Sequence, residues 1–211
     1  MTSASTAAGV PTGNTFDKYG SSNPLVRRMM AAFERALDDL LGQAAPASVL
    51  DVGCGEGVLT ARWAERLGNG RVVGVDLEDP KLRAQWARRE RSNLEFRAAG
   101  AERLPFGASE FDLVAAIEAL EHIEGAERTL AEMTRVARRH LLVSVPHEPL
   151  WRAMNLARGA YVRSLGNTPG HVNHFSKRTF VRLLARHGDV VQVRSPFPWT
   201  MALVQVGARG S

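Results

Sequence analysis

Val49-Leu50-Asp51-Val52-Gly53-Cys54-Gly55-Glu56-Gly57 is the stretch from which the remainder of the chain can be placed. Residues 49–52 form a short apolar run with the character of a buried strand, and the pattern after Gly57 becomes helical from Val58 onward. A strand that passes through glycines into a helix is a ligand cradle. Gly53, Gly55 and Gly57 let the backbone turn tightly and approach a ligand where a Cβ would clash. The following helix points its partly positive end, with unpaired amide N–H groups, at whatever carboxylate or phosphate is bound there. Asp51, at the strand end, is expected to face the crevice.

The glycine spacing narrows the ligand. Dinucleotide cradles carry GxGxxG, whereas here glycine recurs at every second position and Val58 follows, a departure that points away from a nicotinamide cofactor. About twenty residues on, 71–76 read as a second buried strand, Arg-Val-Val-Gly-Val-Asp. A carboxylate at the end of the neighbouring parallel strand can hold the two ribose hydroxyls of an adenosine cofactor on its two oxygens, which assigns that role to Asp76.

Outward from this core the chain reads as alternating strands and helices. Asn23-Pro24 offers an N-cap and a proline at the first helical position, with Val26, Met29, Met30, Phe33, Leu37, Leu40 and Leu41 at helical spacing until Gly42. Pro80 opens a helix with Leu82 and Trp86 on one side; 94–98 alternates as a third strand, 111–117 is a fourth and 140–146 a fifth, with Leu130, Met133 and Ala137 turned inward on the helix between the last two. A helical stretch with Leu150, Met154, Ala157, Tyr161 and Leu165 follows, then a capped helix after His174-Phe175-Ser176, and a closing hairpin over 190–194 and 200–206. The expected fold is α/β: a doubly wound, Rossmann-like, seven-stranded sheet with a closing antiparallel hairpin. Residues 1–15, small and polar, read as a disordered tail, 16–211 as one domain, and 148–170 as an insertion roofing the substrate pocket.

The 211 residues are 45% hydrophobic with a net charge of +5 and a pI near 10.1, which suits a globular domain. No apolar run reaches the length of a membrane span. The single cysteine, Cys54, cannot form an internal disulfide, so a cytoplasmic location is expected. Basicity permits an acidic partner, but lysine stands only at Lys18, Lys81 and Lys177, and the arginine runs fall on the polar faces of predicted helices without interleaved aromatics for stacking bases. RNA is therefore the less favoured partner and a small molecule the favoured one.

Taken together, residues 49–57, the Val-Gly-Val-Asp-Leu at 73–77 and the Ala-Glu-Arg-Leu-Pro-Phe at 101–106 resemble the class I S-adenosylmethionine-dependent methyltransferases. The resemblance covers nearly all of 25–206 and is weakest after Pro146. It implies an enzyme that binds S-adenosylmethionine through Asp51, Gly53, Cys54, Gly55, Asp76, Leu77, Ala101, Glu102 and Ile117, with Tyr19, in a lid over 16–22, as a further contact. One position departs from the family pattern. Gly100 stands where an aspartate usually meets the adenine amino group, which leaves that group to the Ala101 backbone, Glu102 or water.

After strand four the sequence reads Ile117-Glu118-Ala119-Leu120-Glu121-His122. On a helix, residues three and four apart share a face, so Glu118, Glu121 and His122 are expected to converge, and His171 can join them from across the pocket. This resembles the ubiquinone-biosynthesis O-methyltransferases and, more distantly, the small-RNA 2′-O-methyltransferases. It implies a divalent ion, Mg²⁺ or similar, on Glu118, Glu121, His122 and His171. Two readings stay open at this point. One is a metal-assisted site; the other is a metal-free site in which Glu118 shapes the pocket and His122, His171 or His174 accepts a hydroxyl proton. The expected reaction is O-methylation of a small molecule, with an RNA 2′-O-methyltransferase and a non-catalytic S-adenosylmethionine-binding regulator as alternatives.

Overall fold

The computed structural model describes residues 5–7, 10–12, 23–89, 91–157, 159, 168 and 170–207. Strands β1 (Ser5–Ala7) and β2 (Val10–Thr12) pair antiparallel as a ribbon separate from the main sheet. The remainder of the expected disordered tail over 1–15 lies outside the described residues. The expected lid over 16–22, with Tyr19, lies outside the described residues.

Helix α1 (Pro24–Ala44) starts where the Asn23 side chain accepts from the Leu25 amide at 2.9 Å, with proline in the first turn. It runs past the expected stop at Gly42 because Ala45 takes the left-handed closing position, φ 41°, and donates its amide to Leu41. There follow β3 (Ser48–Val52), α2 (Val58–Leu67), β4 (Arg71–Asp76), α3 (Pro80–Trp86), β5 (Leu94–Ala98), β6 (Phe111–Ile117), α4 (Ala126–Val136), β7 (Ala137–Pro146), α5 (Glu148–Ala157), α6 (Lys177–Leu184), β8 (Asp189–Arg194) and β9 (Trp199–Gln205). Strand β7 begins three residues before the expected strand five. Ala137, read as an inward helical residue, instead opens the strand opposite Phe111, and the register shifts between Phe111 and Leu113 to admit it. Tyr161 and Leu165, read as continuing the helix after Pro146, lie outside the described residues.

The sheet has seven strands in the order β5-β4-β3-β6-β7-β9-β8. The first five run parallel, and β9 and β8 close the edge antiparallel. This is the doubly wound architecture with its closing hairpin. Strand residues alternate between two cores: Leu50, Val52, Val73, Val75, Val114, Ala116, Leu141 and Val143 pack with Leu130, Met133, Phe180 and Leu184 of α4 and α6. Val49, Val72, Leu113, Ala115, Leu142, Met201 and Leu203 pack with Phe33, Leu37, Leu40 and Trp63 of α1 and α2. Strands apolar on both faces with period-two partition are what a sheet covered by helices on both sides requires. Because β3, β4, β6 and β7 are parallel, their carboxyl ends open at one edge. Asp76, Ile117 and Pro146 are collected there, and that edge is the ligand side of such sheets. Among the described residues, no helix is long and apolar enough to cross a membrane.

Candidate functional site

The glycine loop is hooked onto the end of β4: the amides of Gly53 and Cys54 donate to the Val75 carbonyl at 2.8 and 3.0 Å. Gly53 and Gly57 have φ values of 74° and 77°. A Cβ on Gly57 would lie 2.5 Å from the Phe96 ring, and one on Gly53 would lie 2.6 Å from the Ala119 Cβ. The loop is thus wedged between β5 and the segment after β6, which only glycine permits. Gly55 differs, since nothing approaches its would-be Cβ within 4 Å, so its backbone is open to a ligand.

Asp76, the last residue of β4, accepts the Gly55 amide on Oδ2 and the Leu77 amide on Oδ1, each at 2.7 Å. Burial raises its pKa, the two amide bonds oppose the rise, and Asp79 adds to it. Each oxygen keeps a second lone pair for an incoming donor. The first turn of α3 is capped by Asp79, which accepts from Lys81 at 2.7 Å, so Asp76 is not committed to capping. Beneath the loop, the Trp86 indole N–H donates to the Gly55 carbonyl at 2.8 Å and the Trp86 and Phe96 rings stack at 5.3 Å. Trp86 was legible only as a core residue of α3; its hold on the loop arises from packing between distant elements.

Asp51 does not face the crevice. It is 2% exposed, with Oδ2 accepting from the Thr60 hydroxyl at 2.7 Å, because α2 lies directly over the strand end. Burial pushes its carboxyl up to about 7, with the Thr60 bond opposing and Asp76 reinforcing the rise. The half-buried Cys54 thiol is likewise pushed well up by burial and by the neighbouring Asp51 and Asp76 carboxyls, so it is no ready nucleophile. Ala101 is half-buried against the core, while the Glu102 carboxylate lies 3.2 Å from Arg128, directed at α4 rather than held for an adenine contact. Beside Gly100 a Cβ would meet nothing within 4 Å, so the space for the absent aspartate is open.

The segment after β6 is not the helix that the spacing of its acids predicts. Glu118 has φ 57°, a left-handed conformation uncommon for glutamate, and only a 3₁₀ turn, Leu120–His122, follows. The Glu118 carboxylate consequently leaves the expected cluster and accepts from the Trp199 indole at 2.6 Å on Oε2. Its amide lies 3.2 Å from both the carbonyl and the hydroxyl of Ser144. Half-buried Ile117 ends β6 beside it.

Glu121, His122 and His171 do converge, each offering a donor atom within 4.8 Å of the others. Residues distant in sequence meet because a clamp holds them. Asn173 donates its side-chain amide to the carbonyls of Leu120 (2.8 Å) and Ile123 (2.7 Å), and the amides of Val172 and Asn173 donate to the Glu121 carbonyl. His122 places Nδ1 3.0 Å from the Gly170 carbonyl, and its ring meets the His171 ring edge-on at 4.8 Å. A carbonyl only accepts, so His122 donates from Nδ1 to Gly170 there. His174, 41% exposed at its side chain, stands at the rim with Nδ1 3.6 Å from Glu148. Neither Asn173 nor Glu148 was singled out by sequence reading; the only signal was a polar residue next to a strand's carboxyl end or beside a predicted site histidine.

The family model described as a methyltransferase domain matches residues 49–140. The chain is 39% identical over 105 residues to erythromycin 3''-O-methyltransferase of Saccharopolyspora erythraea, covering 44% of this chain and 34% of that protein. It is 31% identical over 152 residues to the ubiquinone/menaquinone biosynthesis C-methyltransferase UbiE of Cronobacter sakazakii, covering 68% and 61%. It thus spans less than two thirds of the length of these curated relatives. Among solved structures it superposes on a SAM dependent methyltransferase from Aquifex aeolicus with a TM-score of 0.67 at 16% identity, covering 88% of this chain and 94% of that one. The magnesium protoporphyrin IX methyltransferase of Synechocystis, solved with bound SAH, matches with a TM-score of 0.62 at 17% identity, covering 89% and 90%.

Proposed function

Because the chain belongs to the class I S-adenosylmethionine-dependent methyltransferase family, we propose that it methylates a hydroxyl group of a small-molecule acceptor at the site formed by Glu121, His122 and His171. The observation that carries this reading is that the glycine loop and the histidine site adjoin: Gly53 packs on Ala119, the residue that leads directly into the turn bearing Glu121 and His122. S-adenosylmethionine, bound by the glycine loop and Asp76, supplies a methyl group already activated on a sulfonium. The protein's part is then alignment and proton removal. Asp76, fixed by two backbone amides, receives the ribose hydroxyls, and the open backbone at Gly55 admits the amino-acid end. His122, oriented by the Nδ1 contact with the Gly170 carbonyl, takes the acceptor's hydroxyl proton. Helix α5, the described part of the expected insertion over 148–170, roofs the acceptor in this reading; 158, 160–167 and 169 lie outside the described residues.

Oxygen is favoured over carbon because a hydroxyl needs a nearby proton acceptor and the site offers two imidazoles. Among the relatives, O-methyltransferases and the UbiE C-methyltransferases both occur. The cluster also fits a divalent cation on Glu121, His122 and His171, with Glu118 outside the set. One carboxylate and two imidazoles suit Mn²⁺ or another transition ion better than the Mg²⁺ expected from a two-glutamate set. Such an ion would lower the pKa of a coordinated acceptor hydroxyl.

The test is transfer of labelled methyl from S-adenosylmethionine to a panel of catechols, vicinal diols and hydroxylated macrolides, with RNA as a separate arm. Label on a small-molecule oxygen, lost in His122→Ala, is the expected result. Loss in excess EDTA with recovery on Mn²⁺ supports the metal set, and full activity in EDTA removes it. Label on carbon or only in RNA overturns the acceptor assignment, and no transfer to any acceptor favours a non-catalytic binding role.

A further inference from the structure

Glu148 is the first residue of α5 and is 2% exposed. Its Oε1 lies 2.5 Å from Nδ1 of His171, whose side chain is 6% exposed, and its Oε2 lies 3.6 Å from Nδ1 of His174. Its amide donates to the Phe175 carbonyl at 3.1 Å, which ties the segment carrying both histidines to the start of the helix. A carboxylate in the first turn of a helix is favoured by the partial positive charge there. As a packing residue, though, a buried carboxylate is costly, and an apolar side chain of similar size would fill the space at less expense. Its contribution lies in what it orders.

An imidazole without a defined partner samples two ring flips and two tautomers, and only some of these arrangements direct a lone pair into the cluster with Glu121 and His122. We infer that Glu148 is a positioning residue that holds His171 in one ring orientation and one tautomer, with the proton on Nδ1 and the lone pair on Nε2. The carboxylate accepts the Nδ1–H bond, so the lone pair falls on the opposite nitrogen. His122 is set in the same sense by the Gly170 carbonyl. Both imidazoles are therefore pre-set with Nδ1 protonated before any ligand arrives, an arrangement of outer carboxylate or carbonyl behind histidine that typically matters about 10- to 100-fold for metal affinity or activity. The catalytic consequence rests on the proposed methyl transfer, but the tautomer does not.

Histidine-¹⁵N labelling with two-bond proton–nitrogen correlation spectra at about pH 8, where an ordinary imidazole is neutral, reads the tautomer directly. The His171 signals are identified by their loss in His171→Gln. The wild-type protein is expected to show a single Nδ1–H tautomer for His171. In Glu148→Leu and in the isosteric Glu148→Gln, whose amide can either accept or donate, His171 is expected to show mixed tautomers, while S-adenosylhomocysteine binding reports that the cofactor half remains folded. Where wild-type turnover is measurable, kcat falls about 10- to 100-fold with KM for S-adenosylmethionine unchanged. An Nε2–H tautomer in the wild type, or an unmixed Nδ1–H tautomer in folded Glu148→Gln, overturns the inference. Absence of methyl transfer in the wild type would sink the proposed function and leave the tautomer result standing.

Discussion

Replacing Asp76 by alanine is expected to weaken S-adenosylmethionine binding by about 1.5–3 kcal/mol, or about 10- to 150-fold in affinity, while the sheet remains intact. Two losses combine. The ribose hydroxyls lose a charge-assisted acceptor, and the amides of Gly55 and Leu77 lose the carboxylate that now orients them at 2.7 Å. The second loss loosens the glycine loop, although the Trp86 indole bond to the Gly55 carbonyl and the Gly53 bond to Val75 remain to hold it. Calorimetric titration with S-adenosylmethionine and with S-adenosylhomocysteine checks this, and the two ligands are expected to weaken alike because they share the ribose. Unchanged affinity in a folded variant would remove the cofactor assignment.

The second large effect is on stability against pH. Asp51 has its pKa raised from 3.8 to about 7 in the folded protein, first by burial. Between those values the native state holds a proton that the unfolded chain has released, so this group's contribution is most favourable at low pH, falls as pH rises through the window, and is flat above about 7. At about 1.4 kcal/mol per pH unit, ligand-free stability is expected to lose about 2–4 kcal/mol from this residue between pH 5 and 8. Glu110 and Glu132, whose pKa values are lowered by hydrogen bonds from Arg71 and Arg135, and Asp112, lowered first by the Ala47 amide and then by Arg138, act in the opposite sense at lower pH. The informative quantity is therefore the difference between the wild type and Asp51→Asn, which keeps an acceptor for the Thr60 hydroxyl. Urea unfolding across that range is expected to show a wild-type deficit that grows with pH; a constant difference would contradict the buried-acid account.

The fold was legible where interactions are local or repeat with a short period. The apolar runs of β3, β4, β6 and β7, the Asn23-Pro24 start of α1 and the glycine loop each carry their signal within a few residues. The place of Asp76 beside the glycine loop was legible because a parallel crossover brings the next strand end to a fixed distance from the loop. Asp51 was read one layer too far out, since its burial depends on how α2 lies across the strand. The acids after β6 were misread because i, i+3 and i+4 spacing implies a shared face only on a helix. The left-handed Glu118 breaks that periodicity and sends its carboxylate to Trp199, eighty-one residues away. His171 was named from resemblance, but its meeting with His122 depends on the Asn173 clamp and its orientation on Glu148, contacts between segments that no spacing encodes.

The most direct test of the account is a crystal structure of the wild-type protein with bound S-adenosylhomocysteine. The account predicts both ribose hydroxyls on the Asp76 carboxylate, the amino-acid end over the open backbone of Gly55, and the sulfur directed at the space bounded by Glu121, His122 and His171. A nucleoside bound away from Asp76, or a sulfur facing away from the histidine pair, would contradict it.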